Sequence, residues 1–395
     1  MADTDAEHQL RLSNAISAAR ILCMLWIFSD NYFPFVFSGF YDSPYGLAIS
    51  RSGNFLDAVA PVSYPDRLYT FFSYSGWSGV VGFIFLSGFS LWFSLRKSGV
   101  FEIRDYFVKR ITSVYIPYLA AATVSLLFSV LYRKMPPQMY DAVALVFGMA
   151  RLVPSAYNCN PPLWFITIIG FLYLFFPLVP MVYSRFRTRG LVVFTLLVSA
   201  FTLATIPLYN QLGHLHRFIP VFCCGILLAE LLHSRANFTI GGLPGVKTAS
   251  WFIAPVALCL LAKYIYFDFA ANTQAAWGAG SHQYLAGFSG VAAFLAIGYL
   301  LPLKPHALLR WLSRGTMGVY MYHYVVLYAI VRYISAEYLT SHLIIALPGI
   351  YALLLAWFSI YQYYFDKTVT SAARKALNAT YRLDFSGKTA GGPAQ

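Results

Sequence analysis

Gly79-Val80-Val81-Gly82-Phe83-Ile84-Phe85-Leu86-Ser87-Gly88-Phe89-Ser90-Leu91-Trp92-Phe93-Ser94-Leu95 carries no charge and ends on Arg96-Lys97. Together with the residues just before it, the run reaches the roughly 20 apolar residues that a helix needs to cross a bilayer. Its glycines and serines recur at close helical spacing, which lets neighbouring helices approach one another. Two cations at its end mark a cytoplasmic boundary. The stretch reads as a transmembrane helix over 74–95, and the remainder of the chain repeats the pattern.

The composition agrees. Of 395 residues, 59% are apolar and 11% charged, and 18% are aromatic. The mean hydropathy is +0.61. So few charges cannot cover the surface of soluble domains, where about a quarter of residues are charged. Trp and Tyr gather at membrane interfaces. A disordered chain and a secreted disulfide scaffold are excluded. Cys23, Cys223, Cys224 and Cys259 lie in apolar runs as small buried residues, and Cys159 stands in a polar loop without an evident partner. No CxxC or Cys/His spacing of a metal site occurs, so no metal is expected. The polar, acidic start Met1–Leu10 has no h-region of a signal peptide, and the first apolar run is expected to stay as a membrane anchor.

Apolar runs of spanning length fall at 21–40, 74–95, 111–131, 162–183, 190–208, 218–233, 250–267, 284–303, 315–333 and 342–363. A short amphipathic stretch, 140–153, is expected at the interface. With the N-terminus inside, twenty Lys and Arg fall in cytoplasmic segments and seven outside. That bias sets the orientation. It also accounts for the net charge of +13 without a nucleic-acid partner. The expected fold is an all-α integral membrane bundle of about ten transmembrane helices, both termini cytoplasmic. Residues 1–366 form a single transmembrane domain, and 367–395 a polar cytoplasmic tail, disordered near its end.

Ionisable or strongly polar groups inside spans are costly and are functional candidates. Asp30 and Asn31 fall in the first span, either in its polar site or in a turn at the outer interface. Arg20 opens that span, either as a positive-inside anchor or as a ligand group. His323 lies mid-span in Tyr320-Met321-Tyr322-His323-Tyr324. Glu230 and Lys263 sit near span ends and are expected to reach for an interface. His214-Leu215-His216-Arg217 lies at the outer mouth of span six, where His216 and Arg217 could hold an anionic group. Lys109 and Arg110 start span three on the cytoplasmic side, placed to meet a phosphate-bearing ligand.

Taken in order, these segments resemble the acyltransferase-3 family, ten-span bacterial membrane enzymes that O-acylate surface glycans. The resemblance runs over 14–365. It rests on Arg20 opening span one, on Gly79 to Phe89 with its LSGF, and on Tyr106 to Tyr118 with Lys109-Arg110 and Pro117-Tyr118. Leu312 to His323, with its YMYH, and Pro162-Leu163-Trp164-Phe165 followed by Tyr173 and Pro177 complete it. The resemblance implies a donor, acetyl-CoA or another acyl-CoA, on the cytoplasmic side. It implies an acceptor hydroxyl on an exopolysaccharide, another surface glycan or a lipid-linked sugar, and residence in the bacterial inner membrane. Other polysaccharide-synthesis proteins are expected as further partners. Lys109, Arg110, Trp164 and Ser87 then become candidate donor or substrate contacts.

Two positions depart from the family pattern. The family pairs the span-one cation with a His eleven positions on, and here that position is Asn31. A second Arg is usual three positions after the one matching Arg110, and here it is Ser113. Asn has no proton to exchange, so His323 is the better candidate base, because imidazole titrates near neutral pH. Asp30 would orient it or stabilise its protonated form. Arg20, roughly 15 Å down the helix from Asp30, belongs to the donor end. The competing readings are a catalytically impaired relative serving as a partner subunit of glycan synthesis or export, and a glycan-lipid transporter.

Overall fold

The computed structural model describes residues 2–36, 77–131, 138–150, 152–153, 160–205, 218–234, 288, 291 and 307–377. Among them the regular structure is entirely helical. The first long helix, α1, is Ala2–Val36, and α2 is Trp77–Ser98. The third, α3, comprises Ile103–Arg110, a π-helical turn Ile111–Tyr115, and Ile116–Leu131. A short helix, α4, covers Met139–Val146. After a 3-10 turn at Pro161–Leu163 come α5, Trp164–Phe175, and α6, Leu178–Ala204. Then follow α7, Ile219–Ser234, α8, Ala307–Tyr333, α9, Ala336–Ser341, and α10, Leu343–Phe365. The helical backbone continues past Phe365 through a π turn to residue 377, so the polar tail begins as helix.

Four described helices are long and apolar enough to cross a membrane, or five counting the bent run of α5 and α6. Helix occupies eight of the ten apolar runs read from the sequence; 250–267 and 284–303 lie outside the described residues save Phe288 and Val291. The run α6 is not straight. Arg187 takes φ 53° and ψ −152°, outside helical geometry. Phe175 and Phe194 stack at 5.6 Å, whereas 19 residues of straight helix would hold them roughly 28 Å apart. The chain therefore doubles back at Arg187, inside the Arg185-Phe186-Arg187-Thr188-Arg189 loop expected between spans four and five.

The glycines of the α2 run act by close approach. A Cβ at Gly88 would meet the Phe222 carbonyl of α7, and one at Gly225 the Phe85 carbonyl of α2. Gly79 and Gly82 let α2 lie against Cys23 and Ile27 of α1. In the same way Gly315 and Gly318 of α8 meet Ser359 and Phe358 of α10. The core these contacts close holds fully buried Met24, Phe28, Ile84, Phe89, Phe222 and Trp92. Large apolar side chains such as Leu127, Leu174, Leu196, Leu353 and Trp357 face outward instead, as a lipid-facing surface requires.

The helix α4, in the stretch expected at the interface, is tied to α3 and α5 by hydroxyls. The hydroxyl of Tyr118 caps the Leu145 carbonyl, and that of Tyr115 reaches the Val146 carbonyl at 2.6 Å. Thr167 Oγ1 meets the Gly148 carbonyl at 2.6 Å. Tyr115 and Tyr118 stand half way along α3, so α4 lies beside it and turns at Gly148 (φ +69°). Backbone carbonyls freed at the end of a helix need partners, and here three hydroxyls supply them.

Candidate functional site

A cavity of about 690 Å³ opens between α1, α2, α3 and α5. Its mouth lies at Ser98, Val100, Glu102 and Asp105, all exposed. Its floor lies at Ser87, Ser90 and Arg20. Arg20 stands on the flank of α1 beside fully buried Ala19, and its Nη2 donates to Ser90 Oγ at 2.8 Å. Ser87 Oγ donates to the Phe83 carbonyl at 2.7 Å and so keeps its lone pairs as acceptors.

Arg110 enters from α3. Its guanidinium lies 5.8 Å from the Tyr106 ring and 5.5 Å from the Tyr173 ring. The cage is rigid, because Tyr106 donates to the Tyr173 carbonyl at 3.0 Å and stacks on Phe176 at 5.3 Å. Arg110 Nε is buried without a partner among the described residues. A caged guanidinium with an open edge suits bidentate binding of phosphate. The π turn begins directly after it, a form frequent at functional sites. Ser113, where the resemblance implies a second Arg, donates to the Lys109 carbonyl at 2.5 Å and adds no charge to the cavity. Lys109 lines the wall, exposed toward the mouth.

His323 stands apart from this cavity. It is fully buried on α8. Its Nδ1 lies 3.0 Å from the Val319 carbonyl and 2.8 Å from the Tyr320 carbonyl. Both are acceptors, so Nδ1 carries the proton, and the neutral ring presents the Nε2 lone pair. Nε2 is buried and has no partner among the described residues. The ring packs on Phe28 of α1 at 6.3 Å. Phe28 stands eight residues above Arg20, roughly 12 Å along the helix. Buried Met24, Ile27 and Ile84 fill the layer between the two levels.

Asp30 and Asn31 lie within a turn of Phe28. Asp30, two positions on, points about 200° round the helix from the side chain that meets His323; it is half-buried. Asn31 Nδ2 donates to the Ile27 carbonyl of its own helix at 2.9 Å. The structure thus gathers Arg20, Ser87, Lys109 and Arg110 round one cavity, and sets His323 at the level of Asp30 and Asn31 on the face held by Phe28. Trp164 packs on Phe165 and Phe218, at 6.2 and 6.4 Å, and does not line that cavity. His216 and Arg217 lie outside the described residues.

Three features escaped the sequence reading. The cage of Tyr106 and Tyr173 gave no signal beyond two tyrosines in familiar segments. Asn160, at the end of the loop before Pro161-Pro162, was not singled out. Glu230 was expected to reach for an interface, and it is instead buried at 1% exposure. Its carboxylate lies 3.0 Å from Arg96 Nε and accepts from Trp92 Nε1 at 2.9 Å, Tyr183 at 3.0 Å and Thr188 at 3.2 Å. The cost of a carboxylate in an apolar run, which demands a partner, was the available clue. Among the described residues no group of three His, Cys, Asp or Glu side chains is placed to hold a metal.

A family model described as an acyltransferase domain matches residues 13–361, a range that holds the whole cavity and His323. The chain belongs to the acyltransferase-3 family. This family and the apolar helices together make it a multi-pass membrane acyltransferase. No match was found among curated proteins or among solved structures.

Proposed function

We propose that this acyltransferase-3 protein moves an acyl group, acetyl in the simplest case, from acyl-CoA to a hydroxyl of an exported polysaccharide or lipid-linked glycan in the bacterial inner membrane. The cavity carries the reading. It is polar, opens beside the Arg96-Lys97 end of α2, and brings Arg20, Lys109 and Arg110 to one volume, the donor set that a nucleotide diphosphate needs. In the orientation read from the loop charges, a bundle of ten crossings with both termini inside, that mouth faces the cytoplasm. Around Glu230, the contacts of Arg96 on α2 and of Tyr183 and Thr188 beside the 185–189 turn join two loops read as cytoplasmic, which supports it.

In this reading Arg110 and Lys109 hold phosphates, and Arg20 with Ser87 and Ser90 lines the path of the thin pantetheine arm. The thioester meets His323 once that arm passes the layer of Met24 and Ile84. His323 Nε2 takes the proton of the acceptor hydroxyl, whose oxygen attacks the thioester carbonyl. The C–S bond breaks, and the leaving thiolate takes the proton back from the imidazolium. Asp30, about 200° round α1 from Phe28, lies off the imidazole, whose Nδ1 is held by the Val319 and Tyr320 carbonyls instead.

The test is retention of radiolabelled acetyl-CoA by the purified protein in nanodiscs, together with ester content of the surface glycan in cells. Arg110→Ala should weaken donor retention at least tenfold. His323→Ala should leave retention intact and abolish the ester. Wild-type protein that retains no acyl-CoA would overturn the reading. The hydrogen bond that ties Asn31 to its own helix favours a second one, a non-catalytic relative serving glycan synthesis or export as a partner subunit. In that case donor is not turned over, and Asn31→His gains ester formation.

A further inference from the structure

We propose that Asn160 is a binding residue for the hydroxyl compound that receives the acyl group, an inference that rests on the transfer reading above. Asn160 is fully buried at the entry to the 3-10 turn before α5. Its Nδ2 donates twice, to Ser125 Oγ of α3 at 2.8 Å and to the Met321 carbonyl of α8 at 3.0 Å. Ser125 spends its own hydrogen on the Ala121 carbonyl at 2.7 Å, so it can only accept from Asn160. Both partners are acceptors. The amide cannot be turned over without setting its oxygen against the Met321 carbonyl, and its orientation is fixed by chemistry.

The amide oxygen is left over. Asn160 Oδ1 is buried and has no partner among the described residues. Two residues beyond Met321, on the same turn of α8, His323 Nε2 is a second buried acceptor without a partner. Two acceptors cannot satisfy each other, and buried polar groups are rarely left unpaired without a reason in function. The neighbouring Tyr320 hydroxyl cannot serve either, since it donates to the Pro162 carbonyl at 2.8 Å. What suits both atoms is a ligand that brings hydrogens to two places, as a sugar with neighbouring hydroxyls does. Asn160 Oδ1 would hold one hydroxyl while His323 Nε2 takes the proton of another.

The experiment uses membrane vesicles carrying the full-length protein, radiolabelled acetyl-CoA, and glycan from the same cells stripped of its esters by mild alkali. Asn160→Ala should raise the glycan concentration for half-maximal esterification about tenfold, the size of one hydrogen bond. The acetyl-CoA concentration for half-maximal rate should not change. Should Asn160→Ala fail to reach the membrane, Asn160→Gln, which keeps the amide but displaces its oxygen, is read in the same way. Unchanged glycan dependence, or donor and glycan dependence shifted alike, would make Asn160 a strut between α3 and α8 or the holder of an ordered water only, and would overturn the proposal. Absence of ester with the wild-type protein would overturn the transfer reading itself and this inference with it.

Discussion

Among the described residues, charge carried into the bundle meets a built set of partners at one place above all. That place is Glu230, with Arg96, Trp92, Tyr183 and Thr188 all on its two oxygens. Removing one member of a buried ionic cluster leaves the other charge unpaired, at about 3–5 kcal/mol. Glu230→Ala should therefore lower the thermal midpoint of the protein in detergent by many degrees. Glu230→Gln, which keeps two acceptor lone pairs and the shape, should lower it less. Equal losses from both variants would show that charge is not what the cluster needs. Arg20 and Arg110 were legible in the sequence because a cation at the entry of an apolar run stands out. Asn160 was not, since an Asn in a loop carries no signal of its own and its two donors meet α3 and α8, 35 and 161 residues away along the chain.

Elements assemble here through places where a side chain is missing. At Gly88 and Gly225 an added Cβ would strike backbone carbonyls of the facing helix, and backbone cannot swing aside as a side chain can. Gly88→Ala or Gly225→Ala should cost about 1–3 kcal/mol or more through overpacking, read as a lower unfolding midpoint. Gly170 on α5 has open space where its Cβ would go, and Gly170→Ala should be neutral or stabilising by up to about 1 kcal/mol. Arg187 asks for the opposite change. Its φ of 53° is a strained choice for a side chain with a Cβ, costing on the order of 1–3 kcal/mol. Arg187→Gly should raise the midpoint despite losing the contact over Tyr183 at 5.8 Å. The turn at 185–189 was legible because three arginines interrupt two apolar runs. The seating of α4 against α3 and α5 was not, because an amphipathic period does not name the helix it packs on. The choice is made by Tyr115, Tyr118 and Thr167 on other helices.

At the scale of the molecule, sidedness follows from where the cations gather. The mouth of the cavity, the Arg96 end of α2 and the turn at Arg187 should all face the cytoplasm. A single cysteine at Glu102 or Arg189, in a background without native cysteines, should react with a membrane-impermeant maleimide in inverted vesicles and not in intact spheroplasts. A cysteine at Met149 should not react in inverted vesicles. Labelling of position 102 from outside would refute the orientation. The all-helical membrane class was legible from composition and from the span-length apolar runs, and the placing of Arg20 at the donor end from helix rise; the closing of α1, α2, α3 and α5 round one cavity was not, since it depends on how the helices cross.

The packed layer of Met24, Ile27, Phe28 and Ile84 has a consequence for the cell as a whole. Among the described residues, buried apolar side chains separate a cation-lined chamber below from an imidazole above. An acyl group is neutral, so it can pass such a layer while protons and metal cations are held back. On the transfer reading proposed above, group transfer across the membrane would then proceed without short-circuiting the proton-motive force. Opening the layer with Met24→Ser and Phe28→Ser should be felt first as a drop in membrane potential, before any change in the glycan.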